Sequence, residues 1–400
     1  MKADFFQANR ARLVRECRDG ILLVTAYTQQ QRSGDAAFGF EQEANFWWLT
    51  GVDAPDWQLL QDISAGKAWL IAPEVDAVHH VFDGSLAPDE AQARSGVDGV
   101  LNRQEADEKI AAYAQKGTAI WVLGDDPQAK YYDFSVNPAP VALRRAVRRR
   151  FHDVRDARPV LSRLRAIKQP AELVAMQRAI DGTIEAFEHV RSTLGRYAYE
   201  YEVEAEFGYY FRRHGFTGHA YDPIVAAGAH ACTLHYDTNN GPLKKSELLL
   251  MDIGARADGY AADITRTYTV GTPTARQRDV HQAVQSAHQQ IIDLIQPGGA
   301  VREYHESVDR IMRQAIASLG LQSDEAAYRR YFPHAVSHGL GVDVHDSLGR
   351  PEEFVPQMVL TVEPGIYIPE EGIGVRIEDD ILVTDDGRRN LSAALSTDLA

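Results

Sequence analysis

Carboxylates inside apolar, strand-like segments are the feature that most limits how this chain can fold. Segments 248–254, 359–365 and 375–378 are rich in apolar and β-branched residues, and they contain Asp252, Glu363 and Glu378 respectively. Burying an ionised carboxylate is unfavourable unless a partner neutralises its charge. A salt bridge usually explains one such residue, but these three, with Asp263 and His338, require a concentrated positive charge. We therefore interpret the five residues as a metal site.

The charge of this ligand set indicates two ions. Four carboxylates and one imidazole are mostly hard oxygen donors, which suit Mn²⁺, with Co²⁺, Fe²⁺ and Zn²⁺ as alternatives. One divalent ion would leave a charge of about −2 in a buried site, whereas two ions bring the sum to about zero. Two ions roughly 3.5–4 Å apart acidify a shared water molecule and stabilise both sides of a hydrolytic displacement. The sequence thus predicts a dinuclear hydrolase in which a metal-bridging hydroxide is the nucleophile.

Length and charge narrow the class of protein further. A chain of 400 residues exceeds one ordinary core and predicts two domains. The net charge of −15 argues against nucleic acid or an anionic membrane as a partner. No apolar run reaches the roughly 20 residues that a membrane span needs, and the start of the chain lacks the pattern of a secretory leader. With only two cysteines, we expect a cytoplasmic enzyme that acts on a small substrate.

Two regions differ in their patterns. In the first, short β-rich runs alternate with helical stretches, which is typical of a small α/β domain; the runs are 21–27, 46–49, 68–71, 78–82 and 120–123. Turn signals at Arg158-Pro159 and Gln169-Pro170 predict domains of residues 1–158 and 159–400. In the second domain, an α/β (α+β) arrangement of a mixed sheet wrapped by helices is expected. Its predicted helices are 170–191, 199–214, 275–296 and 303–319, and its predicted strands are near 220–226, 248–255, 260–270, 358–368 and 374–385.

Six ordered segments resemble a known family. They are IVAAGAHACTLHY (224–236), MDIGA (251–255), YAADITRTY (260–268), HAVSHGLGVDVHD (334–346), TVEPGIYI (361–368) and VRIEDD (375–380). They are similar to the pita-bread metallopeptidases, and within that group to the Xaa-Pro peptidases, prolidase and aminopeptidase P. The resemblance implies a C-terminal pita-bread (creatinase/aminopeptidase) domain whose mixed sheet curves around the site. It also implies a smaller N-terminal α/β creatinase-like domain that builds a homodimer.

The resemblance assigns the ligands to individual ions. It implies that Asp252 chelates one ion, that Asp263 and Glu378 bridge both, and that His338 and Glu363 hold the second. Glu363 would also accept or relay the proton of the attacking hydroxide.

The resemblance further implies roles for two histidines. His235 would donate a hydrogen bond to the substrate or to the developing oxyanion. His345 would stabilise the tetrahedral intermediate or protonate the leaving nitrogen.

Other candidates keep more than one interpretation. Arg376 shares a strand face with the last ligand, so it orients a bridging carboxylate, meets a substrate carboxylate or forms an internal salt bridge. Tyr367 hydrogen-bonds into the site or only packs, and His334 contacts substrate or is structural. His281 and His288, seven residues apart on a predicted helix, are expected to be solvated.

The expected substrate is a peptide with proline in the second position. A dipeptidase must cap the C-terminal carboxylate of its substrate, usually with an arginine. Only residues 368–375 separate Tyr367 from Arg376, so the arginine-bearing insertion that some prolidases carry here is missing. Arg350, the N-terminal domain or a partner subunit would have to supply the cap. We take an Xaa-Pro dipeptidase as the first hypothesis and an Xaa-Pro aminopeptidase as the alternative. A metal-free scaffold protein of the same fold is the hypothesis from outside the enzymes, and the retention of all five ligands argues against it.

Overall fold

A computed structural model describes residues 1–126, 129 and 131–399 of the chain. They form two compact units, Met1–Leu164 and Arg165–Ala400. The division between them falls inside the helix Arg158–Ala166, a few residues beyond the predicted boundary. None of the helices in the described part of the chain is long and apolar enough to cross a membrane.

The N-terminal unit is built on a six-stranded mixed sheet. Its central strands pair antiparallel and its outer strands pair parallel, in the order Gly99–Leu101, Lys67–Ile71, Gln58–Asp62, Ile21–Thr25, Ile120–Val122 and Val154–Asp156. A two-stranded pair, Gln31–Ser33 and Ala36–Ala37, lies outside this sheet. The helices are Ala3–Cys17, Ala44–Thr50, Ala77–Asp83, Pro88–Ser95, Arg103–Gln115 and Pro138–Arg148.

Two segments predicted as strands are helices. Residues 46–49 lie in the helix Ala44–Thr50, where the Glu43 side chain accepts a hydrogen bond from a first-turn amide and the left-handed Gly51 ends the helix. Residues 78–82 lie in the helix Ala77–Asp83, where the Asp76 carboxylate caps two first-turn amides. The prediction was wrong because short apolar runs fit both structures, and here the capping residues decide the outcome.

The C-terminal unit packs five α-helices around several short antiparallel sheets. The helices are Pro170–Thr193, Glu200–Arg213, Ala275–Asp293, Val301–Ser318 and Glu325–Tyr331. Thr274 caps the third of these helices through a capping box. The strands, in their sheets, are Ile224–Ala227, Leu248–Ile253 and Ile264–Thr269; Tyr260–Ala261, Ala255–Ala257 and Gly218–His219; Val359–Val362, Asp379–Val383 and Arg388–Asn390; Gly365–Ile368 and Ile373–Arg376.

Strand register brings distant acidic segments together. Asp252 stands opposite Thr265 in one antiparallel pair. The backbone N–H of Glu378 donates to the carbonyl oxygen of Thr265 at 3.0 Å, and that of Glu363 donates to Val336 at 2.9 Å. The main core of the unit packs the helices Ala275–Asp293 and Val301–Ser318 against the strands after residue 358. Asp252 lies in a strand, and Asp263, Glu363 and Glu378 lie directly beside the ends of strands, so the packed sheets position the acidic residues.

Candidate metal centre

The five predicted ligands converge in the C-terminal unit. Donor atoms of Asp263, His338 and Glu378 all lie within 4.8 Å of one another. The His338 Nε2 atom is 3.3 Å from Asp263 Oδ2 and 3.5 Å from Glu363 Oε1. His338 Nδ1 lies 3.0 Å from the carbonyl oxygen of the next residue. Because that carbonyl accepts the Nδ1 proton, Nε2 is free to bind a cation.

A tyrosine joins two of the carboxylates. The Tyr221 hydroxyl lies 2.5 Å from Asp252 Oδ1 and 2.7 Å from Asp263 Oδ1. On the other side of the group, the Thr265 hydroxyl donates to Glu378 Oε2 at 2.7 Å. These neutral donors fix the carboxylates in place without cancelling their charge.

Burial and mutual repulsion shift the protonation of the group. Burial raises the pKa of Glu363 to about 7, and burial and neighbouring carboxylates raise the pKa of Asp263 and hold that of Glu378 well above its ordinary value. For His338, burial acts to lower the pKa, but Asp263 and Glu363 outweigh it and raise the pKa to about 9. The chain alone thus retains protons on its donors, which is the charge imbalance that a divalent cation relieves. The donor set fits such a cation.

Arg376 is bound within the site. Its guanidinium donates from Nη2 to Asp252 Oδ2 at 2.6 Å, from Nη1 to the Tyr367 hydroxyl at 2.9 Å and from Nε to Thr265 Oγ1 at 3.1 Å. The residue is only 4% exposed. Of the interpretations open at the sequence level, the internal partner of a carboxylate agrees with this geometry, and that carboxylate is Asp252.

Tyr367 and His334 continue the same chain of hydrogen bonds. The Tyr367 hydroxyl lies 2.9 Å from His334 Nε2, and His334 Nδ1 lies 3.5 Å from Glu363 Oε2. Burial, and then the charge of Arg376, lower the pKa of His334 to about 3. His334 therefore contacts the acidic group at Glu363, and Tyr367 is joined to that group through His334 and Arg376 rather than only packing near it.

The remaining candidates lie on more exposed loops. His345 packs its ring edge-on against His338, with centroids 4.4 Å apart. His235 is exposed, and its neighbours Leu234 and Tyr236 pack in one cluster with Tyr367. Arg350 is exposed and has a positive φ of 55°.

Two residues of the site were not predicted. Tyr221 precedes the first recognisable motif, and nothing in its local sequence indicates a link between two carboxylates. Asp380 is fully buried, and its Oδ2 atom accepts a hydrogen bond from the Asp263 amide at 3.3 Å. Burial and Asp263 hold the pKa of Asp380 well above its ordinary value. The sequence signal that could have identified Asp380 is its position as the second of the two aspartates that follow Glu378.

Comparison with known families decides the class. Residues 174–385 match the model of metallopeptidase family M24. The chain belongs to this family. Residues 6–121 of this M24 peptidase match the N-terminal domain of aminopeptidase P.

Individual relatives match over nearly the whole chain. The Xaa-Pro aminopeptidase of Haemophilus influenzae is 32% identical, over 99% of this chain and 95% of its own length. The structure of proline aminopeptidase P II from Yersinia pestis matches with a TM-score of 0.84 and 32% identity, over 100% of this chain and 98% of that one. Aminopeptidase P from Escherichia coli with the inhibitor Pro-Leu matches with a TM-score of 0.84 and 30% identity, over 100% and 96%.

These findings confirm the predicted mixed α/β class, the C-terminal pita-bread domain and the metallopeptidase class. Family membership also implies divalent metal ions. The relatives named are Xaa-Pro aminopeptidases. They support the alternative hypothesis and give no support to the dipeptidase that we placed first.

Proposed function

We propose that this M24 peptidase is an Xaa-Pro aminopeptidase, which removes the first residue of peptides that have proline in the second position. One observation carries the proposal: the five predicted ligands converge in a chain that resembles named Xaa-Pro aminopeptidases over nearly its full length. The match of residues 6–121 to the N-terminal domain of aminopeptidase P agrees with it.

We assign the ligands to two divalent ions, with Mn²⁺ as the first expectation. By the family resemblance, Asp263 and Glu378 would hold both ions, Asp252 would hold one of them, and His338 and Glu363 would hold the other. When bound, the ions supply an acidified water molecule and polarise the scissile carbonyl. Arg376 and Tyr221 hold Asp252 from its two oxygens, so its orientation is fixed before any ion binds.

The side chains around the ligands divide the remaining work. Glu363 lies between the rings of His334 and His338, at 3.5 Å from each, and we assign it the transfer of the proton of the attacking water. His345 stabilises the tetrahedral intermediate or protonates the leaving proline nitrogen. His235, on an exposed loop, donates a hydrogen bond to the substrate.

Two observations favour an open end beyond the proline. Arg376 uses all three guanidinium nitrogens inside the site, so it is not available to cap a dipeptide carboxylate, and Arg350 is exposed. The E. coli relative holds Pro-Leu, in which a residue follows the proline. By analogy, we infer that the pocket here also accepts a residue after proline.

The test compares three peptides on metal-loaded protein: Ala-Pro-Ala, Ala-Pro and Ala-Ala-Ala. We expect cleavage of Ala-Pro-Ala at least about tenfold faster than of either other peptide, and loss of activity on chelation. Preference for Ala-Pro would restore the dipeptidase hypothesis. If none is cleaved while two ions are bound, the peptidase assignment fails.

We also propose a homodimer in the cytoplasm. The homodimer rests on the family resemblance and the location on the acidic composition and the two cysteines. Sedimentation equilibrium of the purified protein tests the dimer, and a single species of monomer mass at micromolar concentration would contradict it.

A further inference from the structure

Glu200, the first residue of the second helix of the C-terminal unit, has no exposed surface and binds four donors. Its Oε1 atom accepts hydrogen bonds from the Ala227 amide at 2.7 Å and from His230 Nδ1 at 2.9 Å. Its Oε2 atom accepts from the Gly241 amide at 2.6 Å and from the Tyr236 hydroxyl at 2.8 Å. Both oxygens of this carboxylate therefore accept hydrogen bonds from a single stretch of chain, residues 227–241.

The four donors define a loop. Ala227 ends a strand, Gly241 lies at the far end of the loop, and segment 228–240 runs between them. The Glu200 amide also donates to the carbonyl oxygen of Gly241 at 3.0 Å. A Cβ atom at Gly241 would lie 2.6 Å from the His230 ring and 2.9 Å from Glu200 Oε2, so no side chain fits there. The loop is closed at its base by close contact with this carboxylate.

A second polar residue holds the same loop. Asn239 is fully buried in a left-handed conformation with φ of 44°. Its side chain accepts from the Val225 amide at 2.9 Å and donates to the Pro223 carbonyl at 2.8 Å and to Glu204 at 2.9 Å. The loop thus has two buried anchors: Asn239 ties its far end to the strand segment before it, and Glu200 binds four donors that span the loop from end to end.

The chemistry of the hub requires a carboxylate. A buried ionised group is unfavourable unless donors surround it, and four donors around an acceptor-only group meet that need. A glutamine has one acceptor oxygen, and its NH₂ group would face two of the donors. One of those two is a backbone N–H, which cannot accept a hydrogen bond, so the loop would lose its closure.

The loop carries His235. This histidine is exposed, and its neighbours Leu234 and Tyr236 pack in one cluster with Tyr367 of the site. The position of His235 relative to the site therefore depends on the conformation of segment 228–240. We propose that Glu200 is a positioning residue, which ties the two ends of this segment and thereby holds His235 at the catalytic pocket. The proposal rests on the proposed function, because it assigns a use to His235.

The experiment uses the full, metal-loaded chain and a matched control. Glu200→Gln is compared with Glu206→Gln, the same change on the same helix at a carboxylate that pairs with His189. Each is made in the wild type and in a His235→Ala background, and kcat and KM are measured with Ala-Pro-Ala. We expect Glu200→Gln to lower kcat/KM by about tenfold in the wild type but by less than about twofold in the His235→Ala background, and Glu206→Gln to change it by less than about twofold.

The double-mutant comparison separates positioning from a general structural role. If the loss with Glu200→Gln is as large in the His235→Ala background as in the wild type, or if Glu206→Gln loses as much, the proposal is overturned. Should Glu200→Gln not fold, Tyr236→Phe removes one of the four donors and enters the same comparison, with an expected loss of about threefold.

Hydrogen exchange tests the loop closure without any activity. In Glu200→Gln, the amides of Ala227 and Gly241 and those of segment 228–240 should exchange at least about tenfold faster than in the wild type and in Glu206→Gln. If wild-type protein cleaves none of the peptides but this difference appears, the proposed function fails while the closure by Glu200 stands. If exchange is unchanged, the closure itself is wrong.

Discussion

Replacing Arg376 tests whether the acidic site is stabilised from within. In Arg376→Gln, a pair at 2.6 Å with Asp252 and two further hydrogen bonds are lost or weakened. Breaking a buried ion pair costs about 3–5 kcal/mol, and with Arg376 4% and Asp252 8% exposed, water does little to screen this pair. Because the Tyr221 hydroxyl still donates to Asp252 and the glutamine restores one donor, we expect the low end, a loss of about 3 kcal/mol of unfolding free energy.

The measurement is made in the presence of a chelator, so that no ion compensates. All five tryptophans, at positions 47, 48, 57, 69 and 121, lie in the N-terminal unit, so their fluorescence reports that unit, while far-ultraviolet circular dichroism follows both. The control is Arg350→Gln, an exposed arginine of the C-terminal unit, with an expected change within about 0.5 kcal/mol. If the two variants unfold alike, Arg376 does not stabilise the acidic group and our account of the site is wrong. Adding Mn²⁺ should reduce the difference, because bound ions neutralise Asp252.

Three further predictions follow from the same contacts. In metal-free protein, the unfolding temperature should fall between pH 7 and pH 9. The folded-state pKa of His338 is raised to about 9, so the stability that protonated His338 contributes is present below about pH 6.5 and is lost as pH rises through 9. Calorimetry checks this, and an unfolding temperature that does not change with pH would contradict it. Tyr221→Phe removes the hydroxyl between Asp252 and Asp263 and should lower the unfolding free energy of metal-free protein by about 1–3 kcal/mol. A denaturant titration measures this, and an unchanged unfolding free energy would mean that the hydroxyl is not a donor there. Glu378→Gln should lower the bound Mn²⁺ from two ions per chain to one or none, measured by elemental analysis after dialysis, whereas Glu370→Gln, at an exposed surface position, should retain two.

The acidic cluster could be predicted because its signal is local. A carboxylate within or directly beside an apolar strand is unusual at that position alone, so Asp252, in a strand, and Glu378, directly before one, were identifiable without knowing their partners. Arg376 was identified by the same alternation, since its side chain and that of Glu378 meet Thr265. The sequence could not tell which carboxylate the guanidinium would bind, because that depends on how separate sheets pack.

Residues whose role lies in distant contacts were missed. Glu200 stands in an ordinary amphipathic helix, and its four donors come from a loop that begins 27 residues later. His281 and His288 were expected to be solvated but are 4% and 3% exposed. Their spacing belongs to the buried face of the helix Ala275–Asp293, which also carries Val284 and Ile291, and the apolar periodicity of that face was the signal that should have placed them inside.

The structure also changes the charge argument that first indicated two ions. Arg376 carries a permanent positive charge among the four carboxylates, and the count made from the sequence left it out. With Arg376 included, one divalent ion leaves a net charge of about −1 and two leave about +1. Asp380 is left out of this sum of proposed ligands; burial and the nearby Asp263 hold its pKa well above the ordinary value, which disfavours its charged form. Two ions are then balanced only when one more negative charge is present.

A peptidase site that activates water has such a charge available in hydroxide, whereas a scaffold protein has no need of it. Arg376→Gln therefore tests this charge balance: with Arg376 gone, two ions and four carboxylates already sum to about zero, so retention of both ions should depend less on pH than in the wild type. If both proteins release Mn²⁺ with the same pH dependence, Arg376 does not take part in the charge balance of the loaded site.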